Sequence, residues 1–201
     1  MRRLAVAVFV VVVLPASPAE ATVITFQTVL APEVAGSTGS GFGLVTYDSV
    51  AHTLQVDFSW SGLTGTTTVA HIHCCTNPPG TVGVATYPGT FPGFPVGLMS
   101  GSYSTPGPID LTLTSSFTGG PTGFLNVFGG GTAAGAEAAL VTGLLAGRAY
   151  LNVHTSFAPG GEIRGFLQEI PPAAVPEPGT LTLLGVGVGV AALAARRRRR
   201  Q

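Results

Sequence analysis

The sequence predicts an all-β fold, an antiparallel Greek-key sandwich or barrel with one short helix, set between an N-terminal signal helix and a C-terminal transmembrane helix. Three observations predict it. Only 9% of the 201 residues are charged and none is lysine, while glycine (29) and proline (16) are abundant. That composition suits short strands and tight turns rather than long solvated helices. Apolar and polar residues alternate over Thr53–Trp60, placing Leu54, Val56, Phe58 and Trp60 on one face. Turn-forming stretches recur between such runs: Asn77-Pro78-Pro79-Gly80, Pro88 to Pro95, Gly119-Gly120-Pro121 and Gly129-Gly130-Gly131. Many short strands punctuated in this way argue for a sandwich or barrel.

Taken in order, Met1-Arg2-Arg3 is a short positive segment and Leu4 to Leu14 an unbroken apolar run of eleven residues, stopped by Pro15. Eleven residues fall well short of the roughly 20 that span a bilayer. Ala19-Glu20-Ala21 offers the small-x-small pattern of a signal peptidase site, so residues 1–21 read as a signal peptide cleaved after Ala21, with Ala19 and Ala21 as the recognised residues.

Residues 22–169 read as the β domain. Gly41 to Tyr47 pairs with Thr53–Trp60 as a hairpin through residues 48–52. Further strands are predicted over Thr66 to His73, Gly97 to Ser104, Ile109 to Phe117, Ala149 to Thr155 and Glu162 to Leu167. One helix is predicted, Ala133 to Ala146, rich in Ala and Leu, with Gly147 where a C-terminal cap belongs. Between Thr22 and Ile170 seven carboxylates face only Arg148 and Arg164, a net of −5. An acidic, lysine-free domain repels phosphate backbones, which excludes nucleic acid as a partner.

Residues 170–180 form a proline-rich linker containing Pro176, Glu177 and Pro178. Residues 181–195 carry no charge and are predicted as the transmembrane helix. Lipid forces backbone hydrogen bonds inward and offsets the weak helix preference of Gly185, Gly187 and Gly189. Arg196, Arg197, Arg198 and the two arginines after them open a basic tail, residues 196–201, which the positive-inside rule holds on the cytoplasmic side.

This end, Val175-Pro176-Glu177-Pro178 followed by an apolar helix and an arginine run, resembles the PEP-CTERM sorting signal. The resemblance implies recognition by an exosortase of a Gram-negative, exopolysaccharide-making bacterium. It further implies an inner-membrane intermediate, then cleavage near the motif and release or attachment at the cell surface or matrix. The β domain resembles the CHRD domain. The carrying residues are Val34, Gly62-Leu63, Val69-Ala70-His71-Ile72-His73, Gly147-Arg148-Ala149-Tyr150-Leu151-Asn152-Val153-His154-Thr155, and Pro159-Gly160-Gly161-Glu162-Ile163-Arg164-Gly165. That resemblance implies an extracellular all-β domain without established catalytic activity.

Strand alternation puts His71 and His73 on one face, and Tyr150, Asn152 and His154 on one face of the later strand. If these strands are neighbours, His71, His73 and His154 converge as copper or zinc ligands. The other reading has each ring bonded to its own carbonyl or carboxylate. A His-x-His strand is also used by Cu/Zn superoxide dismutases, an analogy of fold and spacing only, and the bridging ligand of such a site is missing. His52, in the hairpin turn, reads as solvated. Cys74 and Cys75 close a vicinal disulfide in an oxidising compartment or lend sulfur to a soft metal beside the histidines. Glu162 and Arg164 are expected to form an ion pair, and Phe91, Phe94 and Tyr87 to cap one end of the core. No nucleophile elbow, phosphate-binding loop or pair of well-placed carboxylates is present. The expected function is an exported, non-enzymatic surface or matrix protein with exopolysaccharide or other matrix components as partners; the alternative is a metal-binding module.

Overall fold

Nine strands, all paired antiparallel, make one sheet that curls into a half-barrel in the computed structural model. The structure describes residues 23–171 together with position 196. The predicted signal segment, the Pro-Glu-Pro motif and the C-terminal apolar helix lie outside the described residues.

Strand β1 (Val23–Pro32) is absent from the strands predicted above. Its inward row is interrupted by Thr28 between Phe26 and Leu30, which blurs the alternation. It nevertheless organises the sheet, running alongside β2 (Ser40–Asp48) from Val23↔Asp48 to Leu30↔Gly41. β2 and β3 (Thr53–Ser61) form the predicted hairpin, in register from Ser40↔Ser61 to Asp48↔Thr53. In its turn the Asp48 carboxylate accepts from the amides of Val50 and Ala51, both at 2.9 Å.

β4 (Thr67–Cys74) is followed by a long Gly/Pro-rich loop, then β5 (Gly101–Ser104) and β6 (Ile109–Asp110). Both of these are shorter than predicted. Residues 97 and 98 bond to Thr67 of β4 instead of extending β5. After Asp110 the chain leaves the sheet in a 3-10 turn, Thr114–Ser116, while Ile109, Leu111 and Phe117 still reach the core. The apolar spacing there marks core anchors rather than a strand.

A four-residue turn of helix α1 (Phe124–Val127) precedes α2 (Ala133–Leu145). The Thr132 hydroxyl caps α2 by accepting from the Gly135 amide at 3.1 Å. Its other end is a Schellman motif: Gly147 at φ +64° donates to Leu144 O, and Arg148 to Gly143 O. β7 (Ala149–Thr155), β8 (Ile163–Phe166) and β9 (Gln168–Glu169) complete the sheet.

The strand order is β4-β7-β8-β1-β2-β3-β5, with β6 on β3 and β9 on β1. The concave side buries Phe26, Leu30, Val45, Val56 and Phe58, and α2 adds Ala136, Leu140 and Leu144 to the same core. Phe91 and Phe94 are buried beside Phe58, Trp60 and Tyr103, so they cap the core as predicted. Among the described residues no helix is long and apolar enough to cross a membrane. The arrangement that matters most for function is the pairing of β4 with β7, two strands far apart in sequence.

Candidate metal centre

Along β4, Ala70 and Ile72 enter the core, so His71 and His73 turn to the opposite face. Along β7, Leu151 and Val153 do the same, leaving Tyr150, Asn152 and His154 on the histidine face. The register sets Val69↔His154, His71↔Asn152 and His73↔Tyr150, with a register shift between Thr67 and Val69. Bulges of this kind re-aim side chains next to functional sites.

Two loops roof this face, and all three histidines are buried. The long loop after β4 presents the Gly89 carbonyl to His71 Nε2 at 2.8 Å and the Val82 carbonyl to His73 Nδ1 at 2.8 Å. The loop after β7 presents the Pro159 carbonyl to His154 Nδ1 at 2.9 Å. A carbonyl only accepts, so each of these nitrogens carries the proton and each tautomer is fixed. The remaining nitrogens, His71 Nδ1, His73 Nε2 and His154 Nε2, are then bare lone pairs in the neutral rings.

The three rings come together. One nitrogen from each ring lies within 4.8 Å of the other two. His71 Nδ1 and His154 Nε2 are 3.3 Å apart, and two neutral rings in these tautomers place no proton between them. His73 Nε2 is buried and has no hydrogen-bond partner. Two nitrogens on a tetrahedral zinc, at about 2.0–2.1 Å each, stand about 3.3–3.4 Å apart. The His71–His154 pair already has that spacing. Carbonyl bonds and convergence, posed above as alternatives, thus occur together. Carbonyl bonds of this kind are also what orients the imidazoles of known metal sites.

Burial lowers the pKa of His71, and lowers that of His73 to about 4, against the opposing pull of the carbonyl bonds. His73 is therefore neutral and ligand-ready at neutral pH. Tyr150 stacks on His73 at 4.7 Å and donates its hydroxyl to the same Val82 carbonyl. Arg164 lies over Tyr150 and donates to the Pro79 and Gly80 carbonyls, fastening the roof loop to β8.

Other expectations change. Arg164 pairs with Glu33 at 3.2 Å, not with Glu162. Glu162 is fully buried and accepts four hydrogen bonds: from Ser37 Oγ and the Thr64 amide on one oxygen, from the Gly65 amide and Thr155 Oγ1 on the other. Burial acts to raise its pKa, but these donors outweigh it and hold the carboxyl below its ordinary value. His52 is half exposed yet not merely solvated, since its Nδ1 meets Glu137 at 2.8 Å. Cys74 and Cys75 form a disulfide that lies against Gly143 of α2. Both sulfurs lie against Gly143 of α2, and neither belongs to the group formed by His71, His73 and His154.

Sequence reasoning missed Glu33 and Asn152. Asn152 donates to Glu33 Oε2 at 3.1 Å while its own buried oxygen has no partner. The signal was available in the alternation, which placed Asn152 between Tyr150 and His154. Pro176, Glu177, Pro178, Arg197, Arg198, Ala19 and Ala21 lie outside the described residues.

Comparison with known families gives two matches. A model of the CHRD domain covers residues 21–167, and a model of the PEP-CTERM protein-sorting motif covers residues 174–200. No curated protein and no solved structure matches the chain.

Proposed function

The chain belongs to the CHRD domain family, and on that premise we propose that its β domain is a non-enzymatic copper- or zinc-binding module, held by His71, His73 and His154. Its sorting motif makes the chain an exported, cell-surface-associated protein processed by exosortase. The finer course belongs to the proposal: signal peptidase cleaves after Ala21, residues 181–195 hold an inner-membrane intermediate, and the processed domain joins an exopolysaccharide-rich surface or matrix.

One observation carries the metal reading. Three buried imidazoles each donate from one nitrogen to a carbonyl, and one nitrogen from each ring lies within 4.8 Å of the other two. Without a cation, lone pairs at 3.3 Å oppose each other in a low-dielectric site. Three imidazoles and a position left for a small ligand are a donor set that suits zinc or copper.

Elemental analysis of the purified protein after exposure to copper or zinc and exhaustive dialysis tests this. About one metal ion per chain is expected, and none in a His71→Ala, His154→Ala double variant. Wild-type protein that retains neither metal would sink the reading. Superoxide consumption by the copper-loaded protein would move it to the dismutase-type alternative.

A further inference from the structure

Three imidazoles leave a tetrahedral ion short of one ligand. We infer that Asn152 is a positioning residue for that fourth ligand and restricts it to a proton-bearing one, water first, whose hydrogen its carboxamide Oδ1 accepts. This rests on the metal reading above.

Asn152 occupies the middle of the histidine face. It is opposite His71 on one side and opposite Arg164 on the other, with Tyr150 and His154 two residues away on its own strand. It is 1% exposed. The direction of its amide is fixed by charge. Glu33 Oε2, whose carboxylate is held by Arg164, accepts only a donor, so the NH2 group faces Glu33 and the oxygen faces away from it.

That oxygen, Oδ1, is buried without a partner. Buried acceptors are rarely left so, and each calls for an explanation. The side-chain donors of its sheet neighbours are already engaged: His71 with Gly89, His154 with Pro159, Tyr150 with Val82, and Arg164 with Glu33, Pro79 and Gly80. The missing donor therefore comes from outside the protein. A water bound to the ion supplies one, and the ion's charge makes it a strong donor.

The backbone is shaped to seat this amide. Gly161 holds φ +127°, and a Cβ there would come within 2.6 Å of both Asn152 Nδ2 and Oδ1 and of Glu33 Oε2. The same loop gives the Pro159 carbonyl that fixes His154. A single Pro-Gly-Gly loop thus orients one metal ligand and makes room for the residue that reads the fourth.

The test uses azide, an anion that binds copper but has no proton to donate. In copper-loaded wild-type protein, azide displaces water and leaves Oδ1 facing a lone pair. Azide should therefore bind about tenfold more tightly to Asn152→Leu than to wild type, from the typical penalty of an unpaired buried acceptor, when both proteins are compared at full copper loading. Equal azide affinities at full copper loading would overturn this inference alone. Wild-type protein that takes up no metal would overturn the metal reading and this inference with it. A crystal structure of zinc-loaded wild-type protein keeps the question open to decision if the variant fails to fold. A zinc-bound oxygen within about 3.2 Å of Oδ1 is expected. A water on Oδ1 that does not touch zinc, or a fourth ligand turned away, would refute it.

Discussion

Two polar clusters on this sheet contain histidine, one a single ring and the other three, and they differ in how fully their polar atoms are satisfied. In the β2–β3 turn, His52 meets the Glu137 carboxylate, which also accepts from Tyr47 Oη at 2.8 Å. Acid faces base there, and the His52 side chain is 49% exposed, so water serves the rest of the ring. On the β4–β7 face the histidines have no carboxylate among them. Each is satisfied at one nitrogen by a carbonyl and left bare at the other. A structural polar cluster closes on itself, as Tyr47, His52 and Glu137 do. The β4–β7 cluster is half closed, with one nitrogen of each ring within 4.8 Å of the other two, and this is the ground on which it is proposed as a metal site.

The largest effect should come from breaking the open cluster. His73→Ala removes one of three ligands. Loss of an outer partner alone costs roughly 10–100-fold in metal affinity, so a fall of at least about a hundredfold is expected by competition titration. The metal-dependent rise in stability, about 2.7 kcal/mol at a hundredfold excess over Kd, should fall to about 0.4 kcal/mol or less at the same metal concentration. Retention of wild-type affinity would mean that the three nitrogens do not act together.

The buried Glu162 sharpens the contrast, being polar, charged and completely satisfied. Glu162→Gln turns one acceptor into a donor facing donors. The expected cost is about 2–3 kcal/mol by chemical denaturation at pH 7, in line with hydrogen bonds to charged groups, with metal uptake unchanged. The sign of its pH dependence follows from its lowered pKa. Well above the ordinary value of 4.5 the contribution is complete. As pH falls through that value the unfolded chain takes up a proton first, so the stabilisation declines until the folded carboxyl is protonated too. Denaturation curves from pH 7 to pH 3 should show that acid loss in wild type and a smaller one in the variant. An identical pH slope in both would refute the assignment.

These cases also show what was legible in the sequence. Alternation was enough to put His71, His73 and His154 on outward faces, because period-2 geometry is local. The β4–β7 pairing that unites them was legible only as a condition, since sequence does not state which distant strands are neighbours. The carbonyls of Val82, Gly89 and Pro159 were invisible, as backbone groups have no letter of their own. Glu162 and Arg164 misled for a related reason. Two opposite charges two residues apart suggest each other, but Glu162 precedes β8 and turns into a nest of hydroxyls and amides, while Arg164 reaches Glu33 across the sheet. β1 escaped notice because Thr28 stands in its apolar row, although that row is buried along with its neighbours. The α2 helix was found to within one residue, because its caps are local chemistry.

A smaller effect is expected on the far side of β4. Gly143 of α2 faces the Cys74–Cys75 disulfide so closely that an added Cβ would overlap both sulfurs. Alanine normally gains about 1 kcal/mol over glycine within a helix. Overpacking costs about 1–3 kcal/mol, so the clash should win and Gly143→Ala should lose about 1 kcal/mol net. Because neither sulfur belongs to the group formed by His71, His73 and His154, metal affinity should move little. A large loss of affinity would show that the disulfide, through β4, sets the His73 ring, and the comparison between faces would need redrawing.

The closed cluster should give the smallest effect. His52→Asn removes the contact with Glu137, a half-exposed pair of the kind worth about 0–1 kcal/mol. Asparagine tolerates the left-handed backbone that His52 adopts at φ +53° better than most residues do, which offsets part of the loss. Glu137 keeps its bond from Tyr47, so no buried charge is left bare. Thermal denaturation should therefore place the variant within about 1 kcal/mol of wild type, with metal stoichiometry unaltered. A cost equal to that of Glu162→Gln would mean that the Tyr47–His52–Glu137 group anchors α2 to the sheet. Loss of metal would be the more damaging result, because it would tie the two clusters together and remove the ground on which one was read as structure and the other as a site.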